Sequence, residues 1–465
     1  MRRKLPARMV APLAGVTAAA LIGGIGYAWP RPAERAAQAA SHRTAPHQTA
    51  GWSQSWGAAM QRPIAGGEDE GPNWSVEGFG DHSLRQVVRL SAGGAKVRIR
   101  LSNLYGTRPL RVAAAAVARS AGGAQAWPGT TAALTFDGTR SATVAPGAEI
   151  ASDPVPLATA PLEKLAVTLR FTGATGPATF HRFTTQPAYR ASGNHLSDEG
   201  AGAYTASTDA LYYLAGVEVT SENGNASGHG SASGNGSASG NGTGGARTGG
   251  NGAGTVVAFG DSLIDGVGAA PGADARLPDA LAERLAATRN PLGVVNAGIG
   301  GNRLRYDSAC SGEKATARFA RDVLDRPGVR AVIVHLGAND IRVTPGDPCL
   351  RPGGPATAAQ VIAAQRQLIR AARARGLKVV GTTIIPLKGA LFPVWTPQVE
   401  KNRDAVNHWI RTSGAYDAVL DADRIMADPA DPDRPRLSYV YQDGLHPNDA
   451  GYQALARGLD LRTLR

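Results

Sequence analysis

The sequence is poor in the residues that several common chemistries require. Its 465 residues hold only two cysteines, Cys310 and Cys349, too few for a disulfide-stapled scaffold. No group of His, Cys, Asp and Glu has the spacing of metal ligands, so no metal and no other cofactor is implied. The glycine-rich stretch "GIGGN" at residues 298–302 lacks the G-x-G-x-x-G spacing and does not follow the first strand of its block, which excludes dinucleotide binding. Charged residues are 18% of the chain, lysine is scarce, and beyond residue 39 basic residues form neither runs nor clusters with aromatics. That distribution argues against a nucleic-acid partner. Beyond the N-terminus no stretch is apolar for long enough to cross a membrane.

The N-terminus is different. "MRRKLPAR" is basic, residues 9–30 carry no charge, and Ala37, Gln38 and Ala39 form a small-residue cleavage site. Residues 1–39 therefore read as a signal peptide, followed by a tether over residues 40–50. Secretion is expected, with an uncleaved membrane anchor as the alternative. Removing residues 1–39 deletes six basic residues and one acid and lowers the formal net charge from +12 to +7. A spread-out charge of that size serves solubility, with contact to acidic cell-wall polymers or membrane surfaces as the other reading. In an exported chain Cys310 and Cys349 are expected to form one disulfide, worth about 4 kcal/mol by loop entropy; two buried free thiols are the alternative. A monomer is expected.

Two blocks flank residues 221–254, "SENGNASGHGSASGNGSASGNGTGGARTGGNGAG", which have almost no apolar residue larger than alanine. Such a stretch cannot bury a core and reads as a flexible linker with a span of about 30–35 Å between separately folded blocks. Residues 51–220 read as all-β, with short strands and Gly/Pro-rich turns, so a β-sandwich accessory domain is expected. Within it Val97, Ile99 and Leu101 alternate with Lys96, Arg98 and Arg100, the pattern of a half-exposed sheet. Trp52, Trp56 and Trp74 suggest either packing at the end of this domain or a sugar-stacking platform.

Residues 255–465 alternate strand and helix. Five apolar runs ("TVVAFG", "GVVNAG", "VRAVIVHLG", "LKVVGTTII" and "DAVLDAD") are separated by amphipathic helical patterns. That order specifies an α/β fold with a parallel sheet and helices on both faces, a flavodoxin-like three-layer domain. Ligands in such a sheet bind beyond the carboxyl ends of the strands. Those ends carry Gly260-Asp261-Ser262, the GIGGN loop, and Asn339-Asp340. The turn before the last helix adds Asp443 and His446.

Ser262 alone is either a helix cap or a nucleophile. His446 changes the balance, because Asp443 three residues earlier can reach its Nδ1 and leave Nε2 for the serine proton. The amides of Ser262 and Gly301 and the side-chain amide of Asn339 would then supply an oxyanion hole.

The segments "FGDSL", "VVNAGIGGNRL", "VIVHLGANDI" and "DGLHPNDAGY" resemble, in order and content, the SGNH/GDSL hydrolases over essentially all of residues 255–465. The resemblance implies Ser262, Gly301, Asn339 and His446 as the four name-giving residues, with Asp443 completing the triad. The β block is similar to the domain preceding the catalytic unit in secreted bacterial esterases of acetylxylan-esterase-like and arylesterase-like type. Those relatives carry a longer Asn/Arg/Trp-rich stretch after the nucleophile, where "GVGAAPGADARLPDAL" stands here with Leu277 at an often aromatic position. The expected function is ester hydrolysis on short acyl or acetyl groups, including those on polysaccharides, with lipase or lysophospholipase activity as the alternative. A non-catalytic glycan- or cell-wall-binding protein is the reading from another class. Leu391, Phe392 and Trp395, in the apolar "ALFPVW" segment, are candidates for an acyl groove or for core packing.

Overall fold

A computed structural model describes residues 51–67, 71–220, 254–342, 353–391 and 394–465. The expected signal peptide and tether, residues 221–253 of the expected linker, Cys349 and Phe392 lie outside the described residues. Among the described residues no helix is long and apolar enough to cross a membrane.

The parallel sheet consists of β1 (Thr255–Gly260), β2 (Gly293–Gly298), β3 (Val329–His335), β4 (Lys378–Thr382) and β5 (Ala418–Leu420). Its order is β2-β1-β3-β4-β5, and every neighbouring pair is parallel. All six residues of β1 are buried, as an apolar central strand covered on both faces requires. Around the sheet run the helices Leu277–Ala286, Ala358–Arg373, Pro397–Thr412 and Asp449–Gly458. Local chemistry starts them well: Thr357 accepts from the Gln360 amide while Gln360 reciprocates, and Asn448 accepts from the Gly451 amide. The chain leaves β1 first toward β2 and then toward β3, so the ends of these three strands enclose the switch-point crevice. Ser262, the glycine loop and Asn339 follow those three strands directly.

The N-terminal block is a β domain of mostly antiparallel sheets. One sheet orders strands Trp52–Gly57, Leu214–Thr220, Val97–Ser102 and Glu149–Ala151. A second is built around Asp81–Arg89, Lys164–Thr172 and Ala114–Gly122. Ile99, Leu101 and Val217 of the first share a core with Leu84, Val88, Val167 and Leu169 of the second. The expected half-exposure of strand Val97–Ser102 is overturned: all six residues are buried. Glu218, fully buried on the neighbouring strand, accepts from Arg98 at 2.5 Å and Arg100 at 2.8 Å. The alternation is real, but its polar face is an internal ion-paired layer rather than a wetted one. Nor are the three tryptophans an open platform. Trp74 is buried and stacks on Tyr212, while the Arg98 guanidinium lies 4.1 Å from the Trp52 ring centre.

The two blocks are packed together in one compact unit rather than standing apart. Strand Trp52–Gly57 lies along the free edge of β2, where the Ser91 hydroxyl accepts from the Val294 amide at 2.7 Å. The Gln54 amide donates to Thr255 Oγ1 at 3.0 Å. Ion pairs cross the same boundary, with Arg326 on Glu149 at 3.1 Å and Lys164 on Asp274 at 2.8 Å. The β domain thus covers a sheet edge that would otherwise present unpaired backbone groups.

Candidate active site

Where β1 ends, the chain turns into a single helical turn, Ser262–Asp265. Its cap is Asp261, whose carboxylate accepts from the Leu263 amide at 3.2 Å and faces His335 Nδ1 at 2.8 Å. The capping role is filled, so the Ser262 hydroxyl is spared for another partner. That partner is His446: Ser262 Oγ lies 2.9 Å from His446 Nε2. His446 Nδ1 lies 2.6 Å from Asp443 Oδ2. The other carboxylate oxygen, Oδ1, accepts from the amides of Leu445 at 2.9 Å and His446 at 3.0 Å. Burial pushes the Asp443 carboxyl up, but the hydrogen bond and charge of His446 and those two amides hold it below the usual carboxylate range. An ionised Asp443 fixes the proton of His446 on Nδ1 and leaves Nε2 as an acceptor for the serine O–H.

The glycine loop resolves into distinct tasks. The Gly298 amide donates to Asn296 Oδ1 at 2.9 Å and the Gly300 amide to Asp265 Oδ2 at 2.8 Å. Among the described residues the amides of Gly301 and Ser262 have no hydrogen-bond acceptor. Gly301 sits at φ +72°, and a Cβ there would strike the Ser311 hydroxyl, so the position needs glycine on both counts. Asn339 donates from Nδ2 to the Asn302 carbonyl at 3.1 Å. Its Oδ1 faces the Arg342 guanidinium, at 3.0 Å from Nε and 2.6 Å from Nη2. A guanidinium only donates, so the amide orientation is set and one N–H of Asn339 is left over.

Several supporting residues were not picked out by pattern or spacing. Arg318 is fully buried and donates to the carbonyls of Gly260 and Ala297 and to Asn302 Oδ1, tying together the ends of β1 and β2 and the glycine loop. Asp340 accepts from the amides of Leu304 and Arg305, and burial pushes its carboxyl up to about 6 against those bonds. Asp265 joins the nucleophile turn to Gly300 and also meets His181 of the β domain at 3.1 Å. A buried arginine 14 residues beyond the nearest motif carries no signal in a single sequence. Asp265 could have been flagged as the acid one turn after Ser262.

Of the three residues proposed for an acyl groove, Leu391 is 79% exposed and its amide donates to the Asp443 carbonyl at 2.9 Å. Trp395 packs partly against the core and its indole N–H is committed to Glu400 at 2.7 Å. Phe392 lies outside the described residues, as does the Cys349 half of the expected disulfide. Among the described residues no group of three or more His, Cys, Asp or Glu side chains is arranged to hold a metal ion.

Residues 258–454 match the family model described as the GDSL-like Lipase/Acylhydrolase family. No curated protein matches the chain. Among solved structures, an inhibitor-bound aryl esterase from M. smegmatis is 16% identical, covering 46% of this chain and 100% of its own, with a TM-score of 0.36. A carbohydrate acetylesterase from Sinorhizobium meliloti is 14% identical, covering 44% and 94%, with a TM-score of 0.34. A lipase/acylhydrolase from Enterococcus faecalis is 20% identical, covering 44% and 92%, with a TM-score of 0.33. Residues 258–454, which carry the serine, glycine, asparagine and histidine segments, form a GDSL-like lipase/acylhydrolase domain, that of a carboxylic ester hydrolase.

Proposed function

We propose that the protein is a serine esterase that hydrolyses short-chain acyl or acetyl esters through an acyl-enzyme, with Ser262, His446 and Asp443 as its triad. The observation that carries this reading is the continuous relay from Ser262 Oγ to His446 Nε2, at 2.9 Å, and from His446 Nδ1 to Asp443, at 2.6 Å. Ser262 Oγ attacks the carbonyl carbon as its proton passes to His446 Nε2. The resulting oxyanion accepts from the unoccupied amides of Ser262 and Gly301 and the remaining N–H of Asn339. The bond to the alcohol oxygen breaks as His446 returns the proton to it. Water then attacks the acyl-enzyme by the same steps in reverse, releasing the acid and restoring the serine.

The test is hydrolysis of p-nitrophenyl esters from C2 to C16, with Ser262→Ala in parallel. The expected result is turnover greatest at C2–C4 and lost in the mutant. A peak at C8 or longer favours the second reading, a lipase, for which Leu391, exposed beside Asp443, is the supporting observation. Ser262-independent turnover overturns both. Export is part of the proposal, and N-terminal sequencing of protein from culture medium checks it by a start at Ala40.

A further inference from the structure

Asp265 closes the single turn that begins with Ser262, and its buried carboxylate has two obligations. Oδ2 accepts from the Gly300 amide at 2.8 Å, next to the residue whose amide is unoccupied. Oδ1 faces His181 Nε2 at 3.1 Å across the domain boundary. His181 is itself buried, and its Nδ1 lies 2.8 Å from the carbonyl of Ala59. The ring is thus held between an acceptor on each side, the Ala59 carbonyl and the Asp265 carboxylate. Burial pushes the Asp265 carboxyl up, yet the charge and hydrogen bond of His181 and the Gly300 amide hold it below the usual range. The same β-domain segment braces the loop after the nucleophile turn. The Thr185 carbonyl accepts from Gly272 at 2.7 Å and Gln186 donates to Asp274 at 2.8 Å. That loop in turn is held to the histidine side of the site, where Asp449 accepts from Ala270 at 2.8 Å.

We propose that His181 of the β domain is a positioning residue for ester hydrolysis, acting through Asp265 to hold the Gly300–Gly301 loop where the Gly301 amide meets the oxyanion. The inference rests on the serine-esterase reading above. It makes the β domain part of the catalytic apparatus and not an appended module: without it, Asp265, which holds the Gly300 amide, loses its partner across the boundary. The effect belongs to kcat, because an oxyanion donor is engaged in the transition state and not by the ground-state ester.

The test uses the full chain and p-nitrophenyl acetate. His181→Ala is expected to lower kcat about ten- to a hundred-fold with KM within about two-fold, and added imidazole is expected to restore part of the loss. Glu149→Gln weakens the interdomain ion pair to Arg326, 3.1 Å long, without touching Asp265 or the loop after the nucleophile turn, and serves as the structural control. It should lower the melting temperature and leave kcat unchanged. If His181→Ala does not fold, Asp265→Ala carries the same expectation, since alanine accepts from neither His181 nor Gly300. Wild-type kcat in a folded His181→Ala, or a loss confined to KM, overturns this inference while leaving the esterase reading intact. No Ser262-dependent turnover in the wild type overturns both.

Discussion

Replacing Asp443 by asparagine changes one oxygen into an amino group and little else, yet the surroundings dictate which one. The amides of Leu445 and His446, 2.9 and 3.0 Å from Oδ1, can only donate. The carboxamide oxygen must therefore stay on that side, and its NH2 takes the place of Oδ2 beside His446 Nδ1. Nδ1 then becomes an acceptor, and the ring proton moves to Nε2, pointing at Ser262. The imidazole keeps its position and loses its capacity as a base. A serine triad forced into that tautomer loses about 10⁴ in kcat, roughly 5 kcal/mol of transition-state stabilisation. Since every hydrogen bond is conserved in number, the melting temperature should move by no more than a few degrees. Steady-state kinetics on p-nitrophenyl acetate, beside a thermal melt, measures both. Asp443→Asn with kcat within ten-fold of wild type would refute the assignment of His446 Nε2 as the base oriented by Asp443.

Asn339→Ala removes one of the three proposed oxyanion donors and should lower kcat by about 10²–10³ with KM nearly unchanged, read from full kinetic curves. Leu391→Ala should leave C2 hydrolysis alone and reduce kcat/KM at C8 about five-fold, the value of roughly 1 kcal/mol of apolar contact; equal effects at both lengths would remove Leu391 from the acyl path. Asp322 is buried, and although burial raises its carboxyl, Arg321 and Arg318 bring it down to about 2. Because the folded value lies below the ordinary carboxyl value of 3.8, its contribution of about 2 kcal/mol is complete above that pH and lost as pH falls through about 2. Acid titration of denaturant midpoints should show that loss, and Asp322→Asn should abolish its share of it.

The parts of this protein that could be read from the chain are those whose physics is local or periodic. An apolar run ended by glycine and a polar residue predicts a buried parallel strand and its tip, and all five runs of the C-terminal domain became strands. Asp443 and His446 are three residues apart, so their pairing is a property of one turn. Ser262 is 184 residues from His446, but the strand order of a doubly wound sheet brings the first tip to the crevice where the histidine turn lies.

What packs against a face is not written in its periodicity. Alternation showed that Arg98 and Arg100 share one side of a strand, and only tertiary packing put Glu218 there and closed the side to water. Three glycines in one loop look alike in sequence; the structure separates them because Asn296 and Asp265 occupy two of their amides and nothing described occupies the third. His181 lies 84 residues before Asp265 and in another domain, in a stretch with no catalytic pattern. Its place behind the nucleophile turn depends on how an antiparallel sheet seats on the edge of a parallel one, which is decided by complementary surfaces and buried charge pairs formed only when the chain is folded.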